Sequence, residues 1–247
     1  PEGLDKLNEV EKNLLLGKPK FQALMTLSER GVFHQWTGMV YEWRNDLLSE
    51  EQFLKFSIEP EYVLFSVRKE RDIPKSITQS GISIDWDLSQ PVPQHEQIKI
   101  LSTHQQDIER AFSDLRKYED KDFHFKLCPQ INSWQELKKG HDWQIKDPEK
   151  RSFLPRSRDG RWSWYRLLKK GKQKLNFVRE GIGSSLDQPT LWEWLSFHPQ
   201  KANRFGAVLG DPISHSYSPA FHSDLFTKKH SGFLKIRITE SEWREAM

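Results

Sequence analysis

The sequence predicts an α/β chain: a (β/α)8 TIM-type barrel, degenerate at its first strand, followed by the first β-α-β-α of a second α/β unit. Short apolar segments alternate with longer helix-periodic ones, the pattern of βα units laid around a parallel sheet. Seven such segments fall within fewer than 200 residues, which favours a closed barrel over an open sheet. A fresh strand running into a glycine turn at Phe205–Gly210 then starts the second unit.

Taken in order, Glu2 to Leu16 reads as an amphipathic helix, with Leu4, Leu7, Val10, Leu14 and Leu15 near helical spacing. Phe21 to Met25 is the weak candidate for a first strand. Strand patterns follow at 38–41, 62–67, 82–85, 98–101, 123–127, 151–154 and 174–178, with helical patterns at 105–118, 133–139 and 162–169 between them. The boundary falls between Leu195 and Ala202, giving units at 1–199 and 203–247. In the second, Ser218 and Pro219 open a helix, Phe233 to Ile238 is a strand, and Thr239 with Glu242 forms a capping box for a last helix. The chain begins at Pro1 and ends at Met247 within a helical pattern, which reads as a fragment of a longer protein.

Composition narrows the function classes. Hydrophobic residues make up 36% of 247, enough for one large core, and mean hydropathy is −0.77. Charge is nearly balanced at 38 basic to 35 acidic residues, and no basic stripe accompanies the pI near 8.8, so nucleic acid is not the expected partner. No apolar run is long enough for a membrane span and no leader pattern is present, so a cytoplasmic location follows by default. Cys128 stands alone, leaving neither a disulfide framework nor a cysteine-rich metal site.

In a β/α barrel, reactive groups sit at the C-terminal ends of strands. Those positions hold Glu42 and Arg44, Arg68, Asp85 and Asp87, His104, and Lys126. A lysine inside Phe-His-Phe-Lys-Leu is costly to bury without a partner, and burial is also what turns an amine into a nucleophile toward a carbonyl. Taken singly, each has a bland explanation. Lys126 reads as a solvent-facing position on an edge strand, His104 as a structural histidine, and Glu42-Trp43-Arg44 as a local ion pair.

The ordered set resembles the type I 3-dehydroquinate dehydratase family. Glu42-Trp43-Arg44-Asn45-Asp46 is similar to its E-W-R-x-D strand end, Ser66-Val67-Arg68 to its T-x-R strand, and Ile84-Asp85-Trp86-Asp87 to I-D-x-E. Ser102-Thr103-His104 matches S-x-H, and Phe125-Lys126-Leu127-Cys128-Pro129 matches the strand of the Schiff-base lysine. Arg166 occupies the place of the carboxylate-binding arginine, and Ser184…Gln188 that of the lid loop. The resemblance covers about residues 42–195. It implies a lyase that converts 3-dehydroquinate to 3-dehydroshikimate, with Lys126 as Schiff base and His104 as general acid and base. Glu42, Trp43, Arg44, Arg68, Arg166, Ser184 and Gln188 would bind substrate, and no metal or other cofactor would be needed. Two departures stand out. The lid has Ser-Ser-Leu-Asp where the family usually has Ala-Pro-Gly before its Gln, and no Gly-Gly follows Arg68. The acid that supports His104 is then Glu70 or Asp72, with the choice open.

Gly210-Asp211-Pro212-Ile213-Ser214-His215-Ser216-Tyr217-Ser218-Pro219 resembles the opening motif of shikimate dehydrogenase, which implies that Ser216 and Ser218 bind shikimate. Read locally, the same string is a Ser/Pro turn capping a helix. A complete dehydrogenase would need NADP, and this chain, which lacks a G-x-G-x-x-G, is not expected to bind it alone. The expected partner is therefore a small molecule, with a homodimer left open. Two rivals remain: an aldolase-type Schiff-base barrel, and a degenerate barrel kept as a non-catalytic scaffold for the dehydrogenase.

Overall fold

The computed structural model describes residues 24–26, 40–47, 49–54, 60–68, 73–179, 183–199, 202–213, 215–228 and 231–246. Strands β2 (Val40–Arg44), β3 (Val63–Val67), β4 (Ser83–Asp87), β5 (Ile98–Thr103), β6 (His124–Leu127) and β7 (Arg151–Phe153) form an all-parallel sheet in sequence order. It curls into a half-barrel, and the three-residue β1 (Leu24–Thr26) pairs in parallel at its β2 edge. The α/β class and the parallel order match the sequence reading. The full eight-stranded closure does not appear among the described residues, and the amphipathic pattern at Glu2–Leu16 lies outside them.

Helices between the strands cover the outer face: α1 (Glu50–Phe53), α2 (Lys75–Ser80), α3 (Ile108–Arg116), α4 (Trp134–Ile145), α5 (Ser163–Leu168) and α6 (Leu191–Ser196). Their starts are chemically marked. The Asp107 side chain accepts from Arg110 N at 2.8 Å, the Ser133 hydroxyl from Glu136 N at 3.1 Å, and Thr190 forms a capping box with Glu193. The helix α2 ends at Gly81, whose φ of 75° suits a residue without a Cβ.

Period-two alternation splits the core into two layers. Trp43, Phe65, Ile84, Leu101, Phe125, Leu127 and Phe153 face outward and pack with Ile77, Ala111, Leu115, Leu137 and Tyr165 from the helices. The intervening positions face inward, where Val40, Leu64, Ile100, Cys128 and Leu154 join Leu175 and Phe177 in a smaller apolar cluster. Burying each large apolar side chain contributes roughly 1.5–3 kcal/mol. The inward positions also carry polar residues, so a polar layer lies beside this inner apolar cluster.

The expected strand at 174–178 does not form a ladder; only isolated bridges occur at Phe177 and Arg179. Side chains take the place of backbone there. Phe153 N donates to Gln173 Oε1 at 3.2 Å and Leu175 N donates to Ser152 Oγ at 3.1 Å, so the segment follows β7 one side-chain length away.

A separate two-stranded parallel sheet follows, with β8 (Arg204–Gly210) and β9 (Ser231–Arg237) joined through α7 (Ser218–Lys228). The Thr239–Glu242 capping box forms as read, on a 3-10 turn leading into α8 (Trp243–Ala246). Ion pairs of Arg161 with Glu242 and Arg237 with Asp159 tie this unit to the segment between β7 and α5. Among the described residues, no helix is long and apolar enough to cross a membrane.

Candidate active site

The inward polar positions converge on one cluster. Strand register sets Ser66 beside both Arg44 and Asp85, Asp87 beside Ser102, and Ser102 beside Lys126. Lys126 is 2% exposed. Its Nζ forms a short hydrogen-bonded ion pair with Asp85 Oδ2, lies 3.8 Å from Glu42 Oε1, and sits 4.6 Å above the ring centre of Phe177. A buried ammonium demands such partners, because desolvation of an unpaired charge costs several kcal/mol. Ser66 Oγ donates to Glu42 Oε1 at 2.7 Å and to Asp85 Oδ2 at 3.3 Å, bridging the two carboxylates.

Arg68 reaches across the same cluster. Its guanidinium donates to Glu42 Oε1 at 2.9 Å and Ser102 Oγ at 3.1 Å, and lies 3.4 Å from Asp85 Oδ2 and 3.5 Å from Asp87 Oδ2. Asp85, Glu42 and Asp87 overcome the opposing effect of burial and raise its pKa further, keeping it charged. His104 Nδ1 meets Asp87 Oδ2 at 2.6 Å, and Arg68 NH1 stands 3.0 Å from His104 Nε2. An Nδ1–H donated to Asp87 leaves Nε2 as the acceptor from Arg68, the tautomer with its lone pair turned toward the interior.

Electrostatics sort these groups. Burial, and then the Arg68 guanidinium, push the His104 imidazole down to about 4, against the pull of Asp87. It is therefore neutral at pH 7, with 26% of its side chain still open. Burial would raise the Glu42 carboxyl, but Lys126, Arg68 and Arg44 outweigh it and hold it at about 2. Burial opposes ionisation of Asp85 and Asp87 too, and is overcome by Lys126 with Arg68 and by His104 with Arg68 respectively. The result is a neutral base beside a lysine flanked by two carboxylates.

Other residues singled out in the sequence are placed differently. Trp43 faces outward, stacked on Phe53 at 3.9 Å, so the structure does not bring it to the cluster. Arg44 pairs with Asp46, at 3.1 and 2.7 Å, one inward position beyond Glu42. Arg166, 4% exposed, spends its Nε and NH2 on the Pro155 and Leu154 carbonyls, tying α5 to the end of β7. In the lid, Ser184 N donates to Gln188 Oε1 at 3.1 Å and Gln188 Nε2 donates to Ser184 Oγ at 3.0 Å, closing a small loop. Ser216 and Ser218 hydroxyls meet at 3.2 Å at the start of α7, in the other sheet unit. Glu70 and Asp72 lie outside the described residues; the acid that touches His104 among those described is Asp87.

Five residues had no role assigned from the sequence. Asp85 and Asp87 appeared among the strand-end charges, and their i, i+2 spacing was the signal that both face inward. Ser66 and Ser102 share the inward parity of Arg68 and His104. Arg156 carried no signal: it donates to the backbone carbonyls of Cys128 and His104, each at 2.7 Å, clamping the ends of β5, β6 and β7. Among the described residues, no group of three or more His, Cys, Asp or Glu side chains is placed to hold a metal ion.

Compared with protein-family models, curated proteins and solved structures, the chain matches none. Fold and site together define an α/β protein with a parallel half-barrel, bearing a buried Lys–carboxylate–His cluster along the inner face of its strands.

Proposed function

We propose that this chain is a Schiff-base hydro-lyase that dehydrates 3-dehydroquinate to 3-dehydroshikimate. The observation that carries the reading is the pairing of Lys126 on β6 with a neutral His104 just past β5, both turned to one interior and separated by Arg68 and three carboxylates. A buried amine and a neutral imidazole are the two groups that an imine-assisted elimination needs.

Asp85 is placed to take a proton from Lys126, whose free amine attacks the C3 ketone; loss of water gives the protonated imine. His104 Nε2 removes the C2 proton, and the electron pair moves into the imine to form an enamine. For this, Arg68 must release Nε2, and the ring hydroxyls of the substrate are the acceptors that would take its guanidinium. The enamine then expels the C1 hydroxyl, which leaves as water with the proton held by His104. Hydrolysis of the imine consumes one water and frees Lys126, so the net loss is one water. General acid–base participation of this kind contributes about 10²–10⁴ in rate. Glu42, held ionised, accepts from a ring hydroxyl, and Ser184 with Gln188 would close over the bound ring.

The C-terminal β-α-β supports a second part to the reading, the start of a shikimate dehydrogenase with Ser216 and Ser218 as hydroxyl-binding groups. The test of the first part is a direct assay. Protein incubated with 3-dehydroquinate should generate the ultraviolet absorbance of the conjugated enone, and His104→Ala should abolish it. Absence of turnover in the native protein would favour a barrel retained as scaffold.

A further inference from the structure

At the opposite end of the strands from Arg68 and His104, a cavity of about 980 Å³ opens beneath the first residues of β4, β5 and β6 and the last turns of α4 and α5. Its wall is apolar at Ile100, Ile145, Leu168 and Leu175, and cationic at Lys99, Lys169, Lys172 and Lys174. Glu149 is the one acidic residue of the lining, and its carboxylate lies 3.9 Å from Lys174 on the solvent side.

Lys169 is the unusual member. It is 3% exposed, yet its ammonium has only the Gln144 amide oxygen at 2.6 Å and the face of Tyr165 at 5.4 Å. No carboxylate among the described residues stands within ion-pair distance of it. Gln144 is oriented for this contact, since its Nε2 donates to the Lys172 carbonyl at 3.0 Å. Burial, and then Lys172, push the Lys169 ammonium down to about 8. Its neighbour Lys170 shows the structural alternative: its ammonium caps the Trp194 and Phe197 carbonyls at the end of α6. A buried cation held by one neutral amide is destabilising on its own account, and an incoming anion would complete it.

We propose that this cavity binds an organic anion, a carboxylate, sulfonate or phosphate ester carried on an apolar body. The anionic group would pair with Lys169 and Lys172, and the body would lie against Ile145, Leu168 and Leu175. Lys169, Lys172 and Gln144 touch none of Glu42, Asp85, His104 or Lys126, so the inference stands apart from the dehydratase reading.

The test is a fluorescence titration of the whole chain with anilinonaphthalene sulfonate at low ionic strength, with inorganic phosphate as competitor. The wild-type protein should bind saturably, and phosphate should displace the probe. Lys169→Met should weaken binding by at least about tenfold, equivalent to losing one charge-assisted contact. Lys172→Gln, on an exposed side chain, should weaken it several-fold and decides the matter if Lys169→Met does not fold. Lys138→Gln, on the solvent face of α4, should leave binding unchanged. Wild-type affinity in both cavity variants, or no saturable binding by the native protein, would overturn the proposal.

Discussion

Lys126 and Asp85 are buried as a pair, so removing either charge takes from the other its nearest counter-charge. Asp85→Asn is expected to cost about 3–5 kcal/mol of stability, read from the midpoint of denaturant unfolding. His104 makes a second prediction at this scale. Because burial and Arg68 hold the imidazole at about 4, it stays neutral, and so able to accept a proton, well below the usual histidine range. The acid limb of kcat/KM should therefore fall near pH 4 instead of near 6.5. Asp87 pulls that value upward, so Asp87→Asn should move the limb lower still and reduce the rate through loss of the oriented tautomer. A limb that stays near 6.5 in the native protein would place the essential base elsewhere.

Secondary-structure elements were legible where side-chain parity and caps were explicit. Glu42, Arg44, Asp85 and Asp87 were legible as strand-end charges and Thr239 with Glu242 as a helix start, whereas the caps at Asp107, Ser133 and Thr190 emerged only in the structure. Strands β2, β4 and β5 run two or three residues past their apolar cores, because their inward polar residues are paired across the sheet by Ser66, Arg68 and Ser102. Hydropathy alone stops short of these polar strand ends. The 174–178 segment failed for the complementary reason: buried Gln173 and Ser152 replaced the ladder, and no propensity scale encodes that. Trp43 was drawn into the site list by its place between Glu42 and Arg44, although parity turns it outward. Packing of α4 on β7 offers a test. A Cβ at Gly140 would overlap the Phe153 ring, so Gly140→Ala should destabilise by roughly 1–3 kcal/mol, seen as a lower thermal midpoint.

For the whole molecule, stability should fall with acid across two overlapping pH windows of the same sign. His104 and His124 are both pushed down to about 4 from 6.5, chiefly by burial. The unfolded state thus binds more protons between those values, and stability falls as pH drops through that window. Glu42, held at about 2 against an ordinary 4.5, adds stability present above 4.5 and lost as pH falls toward 2. A thermal midpoint that is flat from pH 7 to 4 would contradict the burial of these two histidines. The arrangement of the two sheets was legible as two separate strand series. Their ion pairs through Asp159, Arg161, Arg237 and Glu242 were not, since they join residues 78 and 81 positions apart.

The proposed chemistry turns on Lys126 forming an imine with a ketone substrate. Its most direct test is borohydride reduction of the native protein mixed with 3-dehydroquinate, followed by mass mapping of the peptides. The expected result is a stable adduct on Lys126 that requires both substrate and reductant. Unmodified protein, or an adduct confined to solvent-exposed lysines such as Lys138, would contradict it.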